Sequence, residues 1–217
     1  MGSLSGVGVL DKAAAVLGSL EGGPRSLGEI VGVTGLSRAT THRLAVALEV
    51  HGLVRRDDDG RFALGLRLIG LGHAAAEAVP GWVHARPALE WLRNQTGESV
   101  QLFVRDGDVR VCVESLEASH ELRTIVPIGA RFPLDRGSGG RALTAPPGEG
   151  WVESVAERAP GVASVSAQVL GPGGRVVAAV SVSGPVDRTT PSPGARYGSA
   201  VSEAARRIST RAFGSTP

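Results

Sequence analysis

Apolar positions in the first third of the chain follow a helical spacing and then change to the alternation of strands. Residues Asp11 to Leu20 place Val16, Leu17 and Leu20 on one face, and Gly22-Gly23-Pro24 ends the predicted helix. Ser26-Leu27-Gly28-Glu29 has the form of a capping box, in which serine and glutamate each satisfy the other's backbone N–H. It opens a short helix with Leu27, Ile30 and Val31 on its buried side, and Gly35 supplies the turn that follows. Ser37 is the next N-cap. Behind it Thr41, Leu44, Ala45 and Leu48 form the inner stripe of a helix running to about Val50. Ala39 and Arg43 point away from that stripe, with Arg38 and His42 on one flank and Thr40 on the other. Leu53–Arg56 and Arg61–Leu64 then read as short strands joined at Asp57-Asp58-Asp59-Gly60, a hairpin signal. Three helices followed by a hairpin predict a winged helix-turn-helix.

The rest of the chain predicts a second, α+β unit. Leu66 to Val79 is helical and apolar on most sides, which fits either a dimer contact or packing on its own domain. Pro80-Gly81 breaks it, and a helix over Trp82 to Gln95 follows. Val100, Leu102 and Val104 share one face of a strand, which turns at Arg105–Asp108 and returns through Val109, Val111 and Val113. Leu122–Ile128 reads as a third strand. Val162–Leu170 and Arg175–Ser183 form a hairpin around Gly171–Gly174. A linker at Thr189–Pro193 leads to a closing helix over Gly194–Ala212. The expected domains are 1–65 for the winged helix-turn-helix, 66–81 for a linker and dimerisation helix, and 82–217 for an antiparallel sheet with flanking helices.

Composition narrows the classes. Hydrophobic residues are 42% of the 217 and charged residues 20%, an ordinary globular balance. No apolar run is long enough to span a bilayer, the start shows no secretory pattern, and the default compartment is the cytoplasm. The single cysteine, Cys112, excludes a disulfide framework within one chain. Net charge is only +2, and residues 1–70 hold eight basic against seven acidic side chains. Affinity for DNA must therefore come from where the arginines sit.

Arg43 and Arg38 on the third helix suit phosphate or guanine contact, against the alternative of solvated surface charge. Ser37, Thr40 and His42 stand beside them. Arg55, Arg56 and Arg61 lie on the hairpin, where minor-groove or phosphate contact competes with plain strand-edge charge. Asp57–Asp59 is better read as a solvated turn than as a metal site, and no metal or cofactor is called for. Gly137-Ser138-Gly139-Gly140-Arg141 precedes a short helical segment. Such a turn either attracts a carboxylate to exposed N–H groups or is purely structural. Ser138 lacks the setting of a hydrolase nucleophile. Cys112 alternates with valines as a small buried hydrophobe or a pocket wall residue, and Glu114 and His120 match no metal motif.

The run Gly35-Leu36-Ser37-Arg38-Ala39-Thr40-Thr41-His42-Arg43-Leu44 resembles the recognition helix of the IclR family of bacterial regulators. The likeness continues at Leu48–Val54, Arg61–Gly65, Ala85–Glu90, Thr96–Val100, Ile128–Leu134 and Gly173–Gly184. The resemblance implies a dimer or dimer of dimers and a GAF/PAS-like C-terminal domain that binds a small metabolite, an amino acid or organic acid. It implies double-stranded DNA as partner, at a pseudopalindromic operator, and no membrane. Within the family the chain resembles the branch typified by NdgR and AreB, which regulates amino-acid metabolism and especially leucine biosynthesis. The effector pocket is expected at Leu102, Cys112, Ile128, Gly129, Phe132, Ser138, Gly139 and Gly140. One departure stands out: only Ala142–Gly161 occupies the place of a longer helical region, including the usual Gly-Tyr-type turn into the sheet. Two other readings remain open: an enzyme on the C-terminal domain, resting on the Gly137–Arg141 loop, and an architectural DNA-binding protein with an inert C-terminal domain.

Overall fold

The computed structural model describes residues 5–148, 150–189 and 192–214, and it divides into two compact units between Ala75 and Ala76. In the first unit, helices α1 (Gly8–Ser19), α2 (Leu27–Thr34) and α3 (Arg38–Val50) precede strands β1 (Val54–Arg56) and β2 (Phe62–Leu64). The capping box is formed as expected: Ser26 Oγ accepts from Glu29 N, and Ser26 N donates to Glu29 Oε2 at 2.7 Å. That bond holds the Glu29 carboxyl below its ordinary pKa. Gly35 closes α2 in the left-handed region at φ 68°, where a Cβ would be strained. Val16, Leu20, Ile30, Ala45, Leu48, Val54 and Phe62 make the core. β1 and β2 pair antiparallel, and Asp57 Oδ1 accepts from Asp59 N and Arg61 N. The acidic run is thus a turn held by its own first side chain.

The boundary between the units falls within α4 (Arg67–Glu77), which has no buried residue; Leu66 and Ile69 are 71% and 70% exposed.

The second unit is a six-stranded antiparallel sheet in the order β5-β4-β3-β8-β7-β6. The strands are β3 (Ser99–Asp106), β4 (Val109–Leu116), β5 (Arg131–Pro133), β6 (Trp151–Val155), β7 (Val162–Leu170) and β8 (Val176–Pro185). Helices α5 (Trp82–Thr96) and α8 (Pro193–Phe213) cover one face, burying Val100, Leu102, Val165, Val180 and Val182 against Leu89, Leu92, Val201 and Ile208. The short helix α6 (Gly137–Thr144) packs on the other face with Phe103, Cys112, Val126 and Ala179. A four-residue helix α7 (Val186–Thr189) follows β8. Of the expected linker, Thr190 and Pro191 lie outside the described residues.

Two expectations are corrected. Leu122–Ile128 is not a strand, because the outer edge of β4 is already taken: β5 pairs with Val109–Val111, and Cys112 bonds to Ala130 and Gly129. Its Thr124 and Val126 are buried while Ile125 is exposed, so alternation is present without a ladder partner. The glycine run does not precede a helix but is the first turn of one, α6. In addition, Trp151–Val155 forms an edge strand that the sequence reading left unassigned.

Candidate functional site

On the first unit, α3 buries Thr41, Ala45 and Leu48 and turns Arg38, His42 and Arg43 to solvent. None of these three exposed side chains is tied to another described residue. Ser37 is engaged: its Oγ accepts from Thr40 N and donates to Thr40 Oγ1 at 2.9 Å. The wing arginines differ. Arg56 stacks on Phe62 at 4.2 Å and pairs with Glu49, and Arg61 donates to Pro24 O and approaches Glu29. Arg55 is exposed with no such bond among the described residues. The groove between α1 and α3, about 350 Å³, is lined by Val9, Lys12, Thr40, Arg43 and Leu44. Lys12 was missed in the sequence because it belongs to another helix, 31 residues before Arg43.

On the second unit, polar side chains gather on the α6 face of the sheet. Strand alternation sends Val165, Ala167, Val180 and Val182 to the helices and Ser164, Ser166, Ser181 and Ser183 the other way. Ser138 of α6 joins them, its Oγ 2.7 Å from both Ser164 Oγ and Ser166 Oγ, and Ser166 Oγ is 2.5 Å from Ser181 Oγ. Ser183 donates to Gln101 Oε1, which leaves the buried Gln101 Nε2 without a partner. Beside them Arg110 is 2% exposed. Its Nη1 donates to Pro133 O and Arg136 O, its guanidinium lies over Phe103 and Phe132, and its Nε has no partner. Burial, and then the neighbouring Arg158 charge, push its pKa down to about 10 against a smaller opposing effect of Asp135. These groups and Gly137, Gly139 and Val126 enclose a cavity of about 20 Å³.

The glycines of α6 leave room for Arg110 and for the Leu134 carbonyl. A Cβ at Gly140 would stand 2.7 Å from Arg110 Nη1 and collide with Leu134 O, and one at Gly137 would meet Arg110 Nη2 at 3.3 Å. The carboxylate expected at this helix start is present, but it is the chain's own: Gly137 N donates to Glu157 Oε2 at 3.0 Å, and Glu157 also pairs with Arg141.

Of the residues expected to form the pocket, Ser138 and Gly139 line it. Leu102 faces the α5/α8 core, one residue out of phase with Gln101 and Phe103, which line the cavity. Ile128 is 64% exposed, and Gly129 is spent on a turn, its N–H donating to Cys112 O; neither reaches the cavity. Cys112 is buried behind Phe103, its thiol pushed up to about 12 by burial, and Gly140 packs on Leu134 rather than on the cavity. Phe132 contributes through the two guanidiniums it holds, Arg110 and Arg158. The serines that sequence reading missed had a signal: Ser-Val-Ser occurs at both 164–166 and 181–183, a polar stripe on paired strands.

Gly139→Ala tests this geometry. The new methyl would meet Phe103 and Ser181 at 3.2 Å and cover Arg110 Nε at 3.4 Å. We expect any small-molecule binding at this cavity to be lost at a stability cost of about 1–2 kcal/mol, whereas Gly140→Ala, blocked by backbone, costs more. Calorimetric titration alongside thermal melts separates the two effects.

Comparison with known proteins agrees with this architecture. Residues 9–58 match the IclR helix-turn-helix domain, and residues 76–154 and 147–210 match the bacterial transcriptional regulator IclR C-terminal domain. The chain belongs to the IclR family. Among IclR relatives, the repressor AllR of Klebsiella pneumoniae is 29% identical over 94% of this chain and 90% of its own length. KipR of Bacillus subtilis is 34% identical, over 54% of this chain and 47% of its own. Among solved structures, the Thermotoga maritima IclR superposes with a TM-score of 0.77 at 22% identity, covering 96% of this chain and 99% of its own. An IclR homologue of Microbacterium hydrocarbonoxydans, complexed with 4-hydroxybenzoate, gives 0.77 at 19%, covering 93% and 98%.

The AllR alignment runs over 251 positions although 94% of 217 is only about 204 residues, so AllR carries a stretch that this IclR chain lacks. The two C-terminal matches meet at 147–154, which places the shortening at the loop after α6. In the structure Gln168 holds that short cut. Its Nε2 shares two N–H groups among the carbonyls of Ala142, Ala145 and Pro146, and its Oε1 accepts from Gly148 N.

Proposed function

We propose that this IclR-family regulator is a repressor that binds a pseudopalindromic operator as a homodimer and changes its operator affinity when a small organic acid enters the serine- and arginine-lined cavity. The observation that carries the sensing half is the buried, unpartnered donor set of Gln101 Nε2 and Arg110 Nε, which an acceptor-rich ligand would satisfy. The repressor sense is that of the AllR relatives, and an acid ligand has precedent in the 4-hydroxybenzoate complex of the Microbacterium homologue. The exposed Arg38, Arg43 and Arg55, with Thr40 and His42 beside them, are the DNA contacts in this reading. Lys12 adds charge to the same groove. The exposed apolar side chains of α4 are its dimer contact. Amino-acid metabolism, with leucine biosynthesis foremost, is the target class taken from the sequence resemblance.

Genome-wide mapping of bound DNA, followed by mobility shifts on the recovered sites, tests the reading. Enrichment at a few promoters, among them those of amino-acid metabolism, supports it. Binding of equal strength to all duplexes at physiological salt overturns it in favour of an architectural protein.

A further inference from the structure

The turn between β6 and β7 brings a charge of its own to the cavity. After β6 the chain turns through residues 156–161 before entering β7. This strap starts at Ala156, the only non-glycine with positive φ among the described residues (58°), and ends at Gly161 (φ 74°). The left-handed conformation costs an alanine about 1–2 kcal/mol, so its surroundings hold the strap in place. Glu157 docks it on Gly137 N and Arg141. Arg158 is thereby laid over Phe132, its guanidinium carbon 5.3 Å from the ring centroid, while Arg110 lies 5.2 Å from the same centroid. Arg158 makes no hydrogen bond or ion pair with any described residue.

Two like charges therefore face one cavity with no acidic side chain committed to either. No carboxylate lines the cavity: Glu157 is engaged with Gly137 N and Arg141, and the exposed Asp135, whose charge offsets only part of the effect of burial on Arg110, lies outside the lining. The other lining groups lack any ionised acceptor: serine hydroxyls bonded to one another, and Gln101 with its amide N–H groups unspent. An ammonium group would meet two arginines and no carboxylate, whereas carboxylate oxygens would meet guanidinium, amide and hydroxyl donors. The arginines also differ in depth, Arg110 buried at the floor and Arg158 half-buried on the strap.

We propose that the cavity takes a small aliphatic dicarboxylate, one carboxylate at Arg110, Gln101 and the serines and the other at Arg158, and that Arg158 is the residue that selects two negative charges over one. This rests on the sensing reading above and narrows it to non-amino acids. At about 20 Å³ the cavity now has room for about one water. In this assignment the strap swings outward to admit the ligand, and Arg158 closing on the second carboxylate restores the wall.

The test is calorimetric titration of the full-length protein with malonate, succinate, acetate, propionate, aspartate and inorganic phosphate, with operator binding measured on the same preparations. We expect malonate or succinate to bind on the order of tenfold or more tighter than acetate or propionate, about the gain from one extra charge-assisted contact. Aspartate is expected to bind no better than the monocarboxylates. Arg158→Gln is expected to bring dicarboxylate affinity down to the monocarboxylate level, Arg158→Lys to keep part of the preference, and Gly139→Ala to abolish both. Equal binding of mono- and dicarboxylates, an unchanged preference in Arg158→Gln, or binding of phosphate alone overturns the assignment while leaving an acid-sensing regulator intact. Failure of every anion to bind a preparation that still binds its operator overturns the assignment together with the sensing reading. Loss of operator binding by the wild-type preparation as well would place the failure in the regulator reading itself.

Discussion

Arg43→Ala is expected to weaken operator binding by about 1–3 kcal/mol, several-fold to over a hundredfold, and to relax sequence preference at one base pair of each half-site. The side chain stands on the solvent face of α3, opposite the buried Thr41, Ala45 and Leu48, with no hydrogen bond or ion pair to a described residue. Removing it leaves the core untouched, so the melting temperature should not move. Arg55→Ala is the contrast: a wing contact to phosphate lowers binding to all sequences alike and reduces the salt slope by about one. Fluorescence anisotropy on operator and scrambled duplexes at several salt concentrations distinguishes the two. If Arg43→Ala binds the operator as the wild type does, Arg43 is a solvated surface charge and α3 does not read bases through it.

The largest stability effect is expected at Arg188. Glu98 is 1% exposed at the start of β3, and its carboxylate accepts two bonds from Arg188, Nε to Oε1 and Nη2 to Oε2 at 2.9 Å. Arg188 also donates to Leu122 O, tying α7 to the loop before β5. Arg188→Ala leaves a carboxylate buried with no cation. Breaking such a pair costs about 3–5 kcal/mol, and the partial exposure of Arg188 puts this case at the lower end. At roughly 2–4 °C per kcal/mol this is a fall of several degrees or more in the melting of the second unit. Adding Glu98→Gln should recover part of the loss, because the unpaired charge is removed. A loss below about 1 kcal/mol in Arg188→Ala would show that water reaches Glu98 and that the pair behaves as a surface bridge.

The helix-turn-helix was legible because its determinants are local. Ser26 and Glu29 cap one helix, Ser37 caps the next, Gly35 supplies the left-handed turn, and the Asp57–Gly60 turn is held by Asp57 itself. The sensing half was less so. Leu102 was expected at the pocket, whereas Gln101 and Phe103 line the cavity proposed for it, because alternation states that two faces exist without naming them. A register irregularity between Leu102 and Phe103 in the β3–β4 pairing complicates the phase further. Leu122–Ile128 alternates like a strand but has no free ladder to join, since β5 holds that edge.

By itself, the sequence determined the three-helix-and-hairpin unit, the α+β character of the rest, and a resemblance that the family matches establish, all carried by caps, turns and periodicities within a few residues of one another. Only the tertiary structure decided which arginines are spent and which are free. Arg56 and Arg61 are held by Glu49, Phe62 and Pro24, while Arg43 and Arg55 have no such bond among the described residues. It also decided that the glycines of α6 make room for Arg110 and that Glu157 occupies the helix start expected for a ligand. It brought Arg158 to the same aromatic ring as Arg110 from 48 positions further along the chain. A buried charge and its missing partner are properties of space rather than of spacing. No pattern along the chain records them until strands from distant segments are hydrogen-bonded into one sheet.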